Sequence, residues 1–495
     1  MTMFHMSDDT AVPVFDAMRA LAFIGDLSMG QPTDHSLRTA WLAGLIATAA
    51  GCDELQVETS QHVALLRWSG CTASAQEIAE FVDDDVQARK ALLASTKSLM
   101  HQPQRHNLLP GGVLAVARIS CEIAGDIANI LGLSVDTEAA LRSVFEAYDG
   151  GGVPGLLRGK DVPLATSVVA LASDLEIYSR LYGRDQALAL ASGRADGRYP
   201  RFLVDASVPL ASDWIAELAS PSEPWARLTD QPASRGRGIG LELVADVIDL
   251  KLPWMTGYSR RVARLARDCG ARLGLDESAR RRAYRAGLLH GMGRAAVPNA
   301  IWNAPEPLLA SSMERVRLVP YWTSRASQHI EGLAAEAEIA SFAFERRDGS
   351  GYFRGRSGGA MSLEAQVVAA AEQWVSHRTR RPSRPDLPES EAIERMTADA
   401  AAGRFDREIV AALLACMLPG DTRRVATPTN EEQSLSPREL EVLRGISHGE
   451  NTKEIARALG ISPRTVRTHV ERVFQKLDCS TRAAATLKAS VRGLI

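Results

Sequence analysis

Residues 436–477, SPRELEVLRGISHGENTKEIARALGISPRTVRTHVERVFQKL, predict three short helices in succession, each with its own start signal. The segment SPRE at 436–439 has the form of a capping box, with proline at the first helical position. A second box begins at Asn451, and Ser462-Pro463 starts a third helix two residues after Gly460. Two helices joined by so short a glycine-containing turn predict a helix-turn-helix.

The third predicted helix has one apolar and one polar face. At about 100° per residue, Val466, Val470, Val473 and Leu477 share the side that we expect to pack on the first two helices. The opposite side suits a major groove, where arginine bonds guanine and threonine contacts the thymine methyl group. We predict that base and phosphate contacts come from Lys453, Arg464, Thr465, Arg467, Thr468, Glu471, Arg472, Gln475, Lys476 and Arg482.

The charge of the chain is distributed unevenly. Residues 434–495 hold eleven Lys/Arg against six Asp/Glu, a net +5, so the remainder carries -8 of the total of -3. A small basic segment on an acidic body suits phosphate contact, because cationic side chains release condensed counterions from nucleic acid.

The same stretch closely resembles the LuxR-type helix-turn-helix family, from LSPRELEVL at 435–443 to KLDCSTRAAA at 476–485. The resemblance implies a four-helix module that binds double-stranded DNA as a homodimer. It also implies that Ser480 caps the fourth helix.

The preceding body repeats its landmarks in the same order, which indicates two tandem copies of one domain. DHSLRTA (34–40) parallels GYSRRVA (257–263), ALLRWSGC (64–71) parallels GLLHGMGR (287–294), and YDGGGVP (148–154) parallels RDGSGYF (347–353). Apolar residues recur at helical spacing and alternating strand patterns are scarce, so we predict an all-α fold. The predicted boundaries are an N-terminal extension 1–19, HD-like domains 20–220 and 238–420, a linker 421–433 and the DNA-binding domain 434–495.

The repeated landmarks resemble the HD-GYP phosphodiesterase family, whose chemistry needs metal ions held by His and Asp. Most of those ligand positions are substituted here. Tyr258 stands at the leading histidine of the second repeat, the His-Asp pair has become His290-Gly291, and Arg67-Trp68 replaces it in the first repeat. We therefore expect no catalytic residue, no bound metal and no cofactor, and we predict that the chain is not an enzyme.

The resemblance implies that each repeat descends from a phosphate-binding cavity, and because both cavities now carry arginine they are candidate pockets for a small nucleotide-like effector. Cyclic dinucleotides are the first candidates, by family resemblance alone. The predicted pocket residues are His35, Arg38, Arg67, Glu146, Asp149, Arg261, His290, Arg294, Glu345 and Asp348.

Composition favours a cytoplasmic protein without a membrane partner. The start MTMFHMSDDT lacks the layout of a signal peptide, and we find no apolar run of the length that a membrane span needs. Six cysteines without a CxxC pair predict free thiols.

Three hypotheses remain open at this point. The first is a transcriptional regulator whose catalytically inactive body senses a ligand or partner and mediates dimerisation. The second is a metal-dependent phosphohydrolase or cyclic-dinucleotide phosphodiesterase with an accessory DNA-binding domain. The third is a scaffold whose DNA contact is incidental.

Overall fold

The computed structural model describes residues 10–95, 112–221, 223–228, 236–305, 307–355, 358–417 and 435–495. The chain divides into two compact units, Pro13–Gly238 and Ile239–Ile495, the second of which also includes the start of the chain up to Val12. Helices dominate both units, which confirms the all-α prediction. The predicted linker 421–433 lies outside the described residues.

The described part of the unit Pro13–Gly238 contains ten α-helices. They are α1 (Val14–Ser28), α2 (His35–Ala49), α3 (Glu54–Leu66), α4 (Ala75–Ala79), α5 (Asp85–Ala94), α6 (Gly112–Ile130), α7 (Val135–Arg142), α8 (Leu164–Tyr182), α9 (Arg184–Gly193) and α10 (Arg201–Leu218). Helix α2 packs against both α3 and α8.

The described part of the second unit begins with an HD-like body and ends with the helix-turn-helix. Its helices are α11 (Glu242–Asp249), α12 (Tyr258–Arg272), α13 (Glu277–Leu289), α14 (Asn299–Asn303), α15 (Ala310–Arg317), α16 (Val319–Ser327), α17 (Ala334–Ala340), α18 (Leu363–His377), α19 (Glu389–Ala401), α20 (Arg407–Ala415), α21 (Pro437–Ser447), α22 (Thr452–Leu459), α23 (Pro463–Leu477) and α24 (Arg482–Val491). Helix α12 packs against α13 and α18, as α2 does against α3 and α8. The strands β1 (Ala11–Pro13) and β2 (Gly238–Gly240) pair in a two-stranded sheet.

Each of the two bodies has an aspartate that bonds to the first turn of an equivalent helix. In the first, Asp26 accepts from the Ser36 amide at 2.9 Å and from its hydroxyl at 2.7 Å. In the second, Asp249 accepts from the amide and the hydroxyl of Ser259, both at 2.8 Å. Because the spacing is ten residues in each case, the same local chemistry positions α2 and α12.

Close backbone approaches recur in the same places. A Cβ atom at Gly70 would overlap the carbonyl oxygen of Ser120, and one at Gly293 would overlap that of Val319. These glycines lie at the same position of the paralleled segments 64–71 and 287–294. The repeats therefore share a packing requirement that only glycine meets.

The helix-turn-helix has the predicted capping. Ser436 and Asn451 each form a capping box, Gly460 ends α22 at φ +65°, and Ser462 accepts from the Thr465 amide. The predicted apolar face is buried at Val466, Val473 and Leu477 and partly buried at Val470. Thr481, and not Ser480, caps α24, since its side chain accepts from the Ala484 amide.

The predicted boundaries of the domains stay predictions. Helix α1 begins at Val14, so the limit placed at residue 20 falls inside a helix. The six cysteines are free thiols, as predicted. None of the described helices has both the length and the hydropathy that a membrane crossing requires.

We predict that Gly70→Ala destabilises the unit Pro13–Gly238 by about 3 kcal/mol, because the added methyl group meets a backbone carbonyl that cannot rotate away. Gly193→Ala is the control, since its Cβ would meet nothing within 4 Å. Thermal unfolding should show the control within about 1 kcal/mol of the natural protein. Equal effects of both substitutions would contradict the packing account.

Candidate functional site

The centre of the first repeat is a buried arginine that donates to a buried histidine. Arg67 Nη2 lies 2.6 Å from His35 Nε2 and 3.1 Å from Thr39 Oγ1. His35 Nδ1 lies 2.5 Å from Glu176 Oε2. Arg67 follows α3, His35 begins α2 and Glu176 lies on α8, so three packed helices converge here.

The hydrogen bonds determine the protonation of His35. Because Arg67 is a donor only, Nε2 must accept, so the ring is neutral and donates from Nδ1 to Glu176. Burial lowers the pKa of His35, in agreement with a neutral ring. Burial also lowers the pKa of Arg67, to about 10, which leaves the guanidinium charged at neutral pH.

Glu176 was not among the predicted site residues. It accepts from Arg38 Nε at 3.1 Å and from Arg180 Nε at 3.2 Å in addition to His35. Burial opposes its ionisation, but His35 and Arg180 lower the pKa of Glu176 to about 2. The sequence did offer one signal for Glu176, which is a charged residue in an otherwise apolar helix. It lies three residues after Ser173 and therefore on the same helix face.

A small, partly open cavity lies beside this centre. Its lining includes Arg67, Trp68, Glu146, Ser173 and Arg198. Glu146 is buried and accepts from the amides of Gly155 and Leu156, at 3.1 and 3.0 Å. The structure thus brings Glu146 and Arg67, both predicted pocket residues, to one cavity.

Asp149 has a local role. Its carboxylate accepts from the Gly151 amide at 2.7 Å and supports the turn after α7. Asp174, on α8, pairs with Arg194 at 2.7 Å.

The centre of the second repeat also joins an arginine to a histidine, but from a different position. Arg294 Nη2 lies 3.1 Å from His290 Nε2 and 3.7 Å from Glu372 Oε1. The Tyr258 hydroxyl donates to Glu372 Oε1 at 2.9 Å, and the Arg294 guanidinium lies 4.9 Å from the Tyr258 ring centroid. His290 Nδ1 contacts the Gly287 carbonyl at 2.6 Å, and burial followed by the charge of Arg294 lowers its pKa well below the ordinary value.

The remaining predicted pocket residues of this repeat bond to other groups, and the Arg261 guanidinium lies 5.9 Å from the centroid of the Tyr258 ring. Glu345 is buried and accepts from the Arg354 amide at 2.7 Å, while Asp348 is exposed and accepts from Ser350. Hydrogen bonds from Ser350 lower the pKa of Asp348. Arg261 donates to the Thr256 carbonyl at 3.1 Å, at the start of α12.

Neither centre presents a donor set that fits a metal ion. In both, a guanidinium donates to the histidine Nε2 atom that a metal would need. Across the described ranges, no group of three or more His, Cys, Asp and Glu side chains is arranged to hold an ion.

The polar face of α23 is exposed, as a DNA-reading helix requires. Arg464, Arg467, Thr468, Glu471 and Gln475 all lie on the surface. Exposed residues also include Lys453, Thr465, Arg472 and Arg482.

Four predicted DNA contacts already take part in internal bonds, and one of these runs from Thr468 Oγ1 to the Arg464 carbonyl at 3.3 Å. Lys476 Nζ is 2.8 Å from Glu439 Oε2, and Arg482 Nη1 donates to the Glu450 carbonyl at 2.7 Å. Thr465 Oγ1 lies 2.8 Å from Ser462 Oγ at the helix start. These bonds hold the module together, and the predicted DNA contacts of all ten residues stay predictions.

The helix-turn-helix contacts the HD-like body within the second unit. Thr256 Oγ1 donates to the Ser447 carbonyl at 2.6 Å in a buried setting. A Cβ at Gly449, where φ is +81°, would lie 2.6 Å from Pro253 Cβ, and α24 packs against α11. Partial burial, followed by the charge of Arg261, lowers the pKa of His448 at the same contact.

Comparison with known families supports both halves of the second unit. Residues 242–409 match the family described as HD domain, and residues 433–489 match the bacterial regulatory proteins of the luxR family. The chain therefore carries an HD domain followed by a LuxR-type helix-turn-helix, and it is a DNA-binding regulator by that module.

Several relatives resemble one part or most of the chain. The 3'3'-cGAMP-specific phosphodiesterase 3 of Vibrio cholerae is 23% identical over 77% of this chain and 90% of its own length. The cyclic di-GMP phosphodiesterase response regulator RpfG of Xanthomonas campestris is 31% identical over 35% of this chain and 46% of its own. The probable transcriptional regulatory protein NarL of Mycobacterium tuberculosis is 40% identical over 21% of this chain and 45% of its own.

One solved structure shares the fold of the body. A cyclic GMP-AMP specific phosphodiesterase from V. cholerae superposes with a TM-score of 0.59 at 21% identity, and covers 83% of this chain and 99% of its own.

The prediction that the chain is not an enzyme is wrong. The HD-domain relatives are phosphodiesterases, and one of them matches most of the chain. The prediction rested on substituted ligand positions, and the substitution of ligands at those positions does not establish inactivity.

We predict that Asp26→Asn removes a pH dependence of stability. Burial raises the pKa of Asp26 to about 8, so folding binds a proton between the ordinary pKa near 4 and that value. The free energy of unfolding of the natural protein should fall as pH rises from 5 to 8. The difference in this free energy between Asp26→Asn and the natural protein should therefore change in favour of the variant, by up to about 1.4 kcal/mol per pH unit.

Thermal unfolding at several pH values measures this difference. Asp205→Asn, at an exposed aspartate of the same unit, controls for the loss of one carboxylate. Parallel curves for the natural protein and Asp26→Asn would contradict the assignment of a protonated Asp26.

Proposed function

We propose that this chain is a homodimeric transcription regulator in which the HD-like body controls the helix-turn-helix in response to a nucleotide-like effector. One observation carries the proposal. The start of α12 contacts the centre of the second repeat through Tyr258 and the DNA-binding module through Thr256.

The DNA-binding half of the proposal follows from the third helix of the module. Its apolar face is buried against α21 and α22, while arginine, threonine and glutamine face outward. Such a helix inserts its polar side into a major groove, where two copies about one helical turn apart read a two-fold symmetric site. The homodimer is the part of the proposal that only the LuxR-type resemblance supports.

The regulatory half of the proposal rests on the short path between Tyr258 and Thr256. Tyr258 is 1% exposed, its hydroxyl is bonded to Glu372, and its ring lies beside the Arg294 guanidinium. Gly257, with φ +67°, is the N-cap residue between them. A ligand that displaces Arg294 or Glu372 acts on Tyr258, and two residues away the Thr256 hydroxyl holds the Ser447 carbonyl.

The relatives indicate the class of effector to test. The names of these relatives specify 3'3'-cGAMP and cyclic di-GMP, which are cyclic dinucleotides with two phosphodiester groups. Buried arginines at both centres suit a phosphate-bearing ligand, because guanidinium binds phosphate through parallel N–H bonds.

Hydrolysis of a cyclic dinucleotide is a second candidate function, favoured by the same relatives. Hydrolysis and effector binding give different products. A phosphodiesterase releases a linear dinucleotide, whereas a receptor releases the cyclic ligand unchanged. Chromatography of 3'3'-cGAMP after incubation with the protein and Mn²⁺ distinguishes the two.

We predict that the triple substitution Arg464→Ala, Arg467→Ala and Thr468→Ala weakens DNA binding at least about tenfold and lowers the slope of log affinity against log salt by about 2. The physical reason is the loss of two cationic phosphate or base contacts from the exposed face of α23. Gel-shift titration at several salt concentrations measures the affinity and its salt dependence. The DNA duplex is one recovered by genome-wide mapping of bound sites.

The matched control removes the same charge from the body. Arg395 and Arg407 are exposed on α19 and α20, so Arg395→Ala with Arg407→Ala should leave affinity within about twofold of the natural protein. Unchanged affinity in the triple variant would contradict DNA reading by α23 and favour the scaffold hypothesis.

We predict that Thr256→Val uncouples effector from DNA. In the natural protein, 3'3'-cGAMP should change DNA affinity at least about fivefold, a typical allosteric coupling. Valine keeps the shape of threonine and loses the bond to Ser447, so the ratio of affinities with and without ligand should fall toward one. Thr397→Val, which removes an exposed bond within α19, should keep the full ratio.

Two results would overturn this account of regulation. One is a natural protein whose DNA affinity is the same with and without cyclic dinucleotide. The other is a Thr256→Val variant with the same ratio as Thr397→Val.

A further inference from the structure

The Arg67 guanidinium is a buried cation with an incomplete set of partners. Its side chain is 2% exposed, and its bonds go to His35 and Thr39, both uncharged groups. Its Nε and Nη1 atoms are buried without a hydrogen-bond partner in the described part of the chain. The guanidinium stacks on the Trp68 ring, 4.7 Å from its centroid, but burial is still costly because two of its nitrogen atoms have left water without gaining an acceptor.

The acidic side chains near Arg67 bond to other groups. Glu176 accepts from His35, Arg38 and Arg180, and Glu146 accepts from two backbone amides. Asp26 holds the start of α2 through Ser36. Within the described ranges, none of these acids forms an ion pair with Arg67.

Donors that lack acceptors belong to two residues that line the cavity. Trp68 Nε1 is also buried and unpartnered, and Trp68 lines the same cavity. Arg198 adds a second cation to the lining, with Nε 3.5 Å from Asp174 Oδ2. Three unpartnered N–H groups and two guanidinium groups, against the one engaged carboxylate of Glu146, complement an anion rather than a metal ion.

We propose that the cavity between Arg67 and Arg198 is a metal-independent binding site for a phosphate group, either inorganic phosphate or the phosphodiester of a nucleotide. The guanidinium of Arg67 donates from Nε and Nη1 to two phosphate oxygens, and Trp68 Nε1 and Arg198 contact the others. The inference deepens the proposed function by locating the effector's phosphate, and it rests on that function only for the identity of the effector.

The test uses the full chain in EDTA, so that metal ions contribute nothing. Calorimetric titration and thermal unfolding are recorded with sodium phosphate, against chloride at equal ionic strength, and with 3'3'-cGAMP. We expect saturable binding of at least one of these, which Arg67→Gln weakens about 10- to 100-fold through the loss of a charge-assisted contact.

The chain offers a matched control in a second buried arginine of the same unit. Arg89 donates to Ser28 and to the Cys71 carbonyl and does not line the cavity. Arg89→Gln should lower the unfolding temperature of the protein. Addition of phosphate or 3'3'-cGAMP should still raise that temperature by as much as in the natural protein. If Arg67→Gln fails to fold, Arg198→Gln tests the same site from its less buried side and should weaken binding about tenfold.

The two ligand sources give different results. Competition between inorganic phosphate and 3'3'-cGAMP assigns the site to a nucleotide phosphate, and phosphate binding without competition assigns it to free phosphate. The absence of saturable binding by either, or equal binding by Arg67→Gln and the natural protein, would overturn the inference. Because DNA binding is measured separately, its failure would affect the proposed function and not this site.

Discussion

A guanidinium that donates to the Nε2 atom of a buried histidine is the interaction around which each HD-like repeat is arranged. The distance is 2.6 Å between Arg67 and His35 and 3.1 Å between Arg294 and His290. This bond requires a neutral histidine whose Nδ1 hydrogen is donated elsewhere, to Glu176 in one repeat and to the Gly287 carbonyl in the other. It also places a permanent cation in the interior, which must be balanced by carboxylates or by a ligand.

The scaffold that holds these centres is the same in both repeats, while the balancing groups differ. Asp26 and Asp249 fix equivalent helix starts, and Gly70 and Gly293 admit equivalent backbone contacts. In the second repeat, Glu372 lies near Arg294 and accepts a hydrogen bond from Tyr258. Tyr258 begins α12, and the start of α12 contacts the helix-turn-helix. In the first repeat, the arginine instead adjoins a cavity with unpartnered donors. We infer a division of roles, with anion recognition in the first repeat and the link to the DNA-binding module in the second.

Much of this structure could be predicted from sequence, because its signals are local. Capping residues such as Ser436 and Asn451 fixed the helices of the DNA-binding module, and paralleled segments indicated the tandem bodies. Glu176 could not be found in this way, since its partners lie on other helices. Arg261 was predicted for the pocket but lies at the contact with His448, because the direction of a side chain depends on packing. The error about enzymatic activity came from treating substituted ligand positions as proof of a lost reaction.

The most direct test of the central arginine–histidine bond is the ¹⁵N NMR spectrum of the protein labelled at histidine, recorded between pH 5 and 8 with and without Zn²⁺. Two histidines, assigned through His35→Gln and His290→Gln, should show a protonated Nδ1 and an unprotonated Nε2. Their shifts should not change with pH, because burial lowers the pKa of both rings. Protonated Nε2 atoms, or Nε2 shifts that move on addition of Zn²⁺, would show that the guanidinium groups do not occupy these positions and would contradict the account.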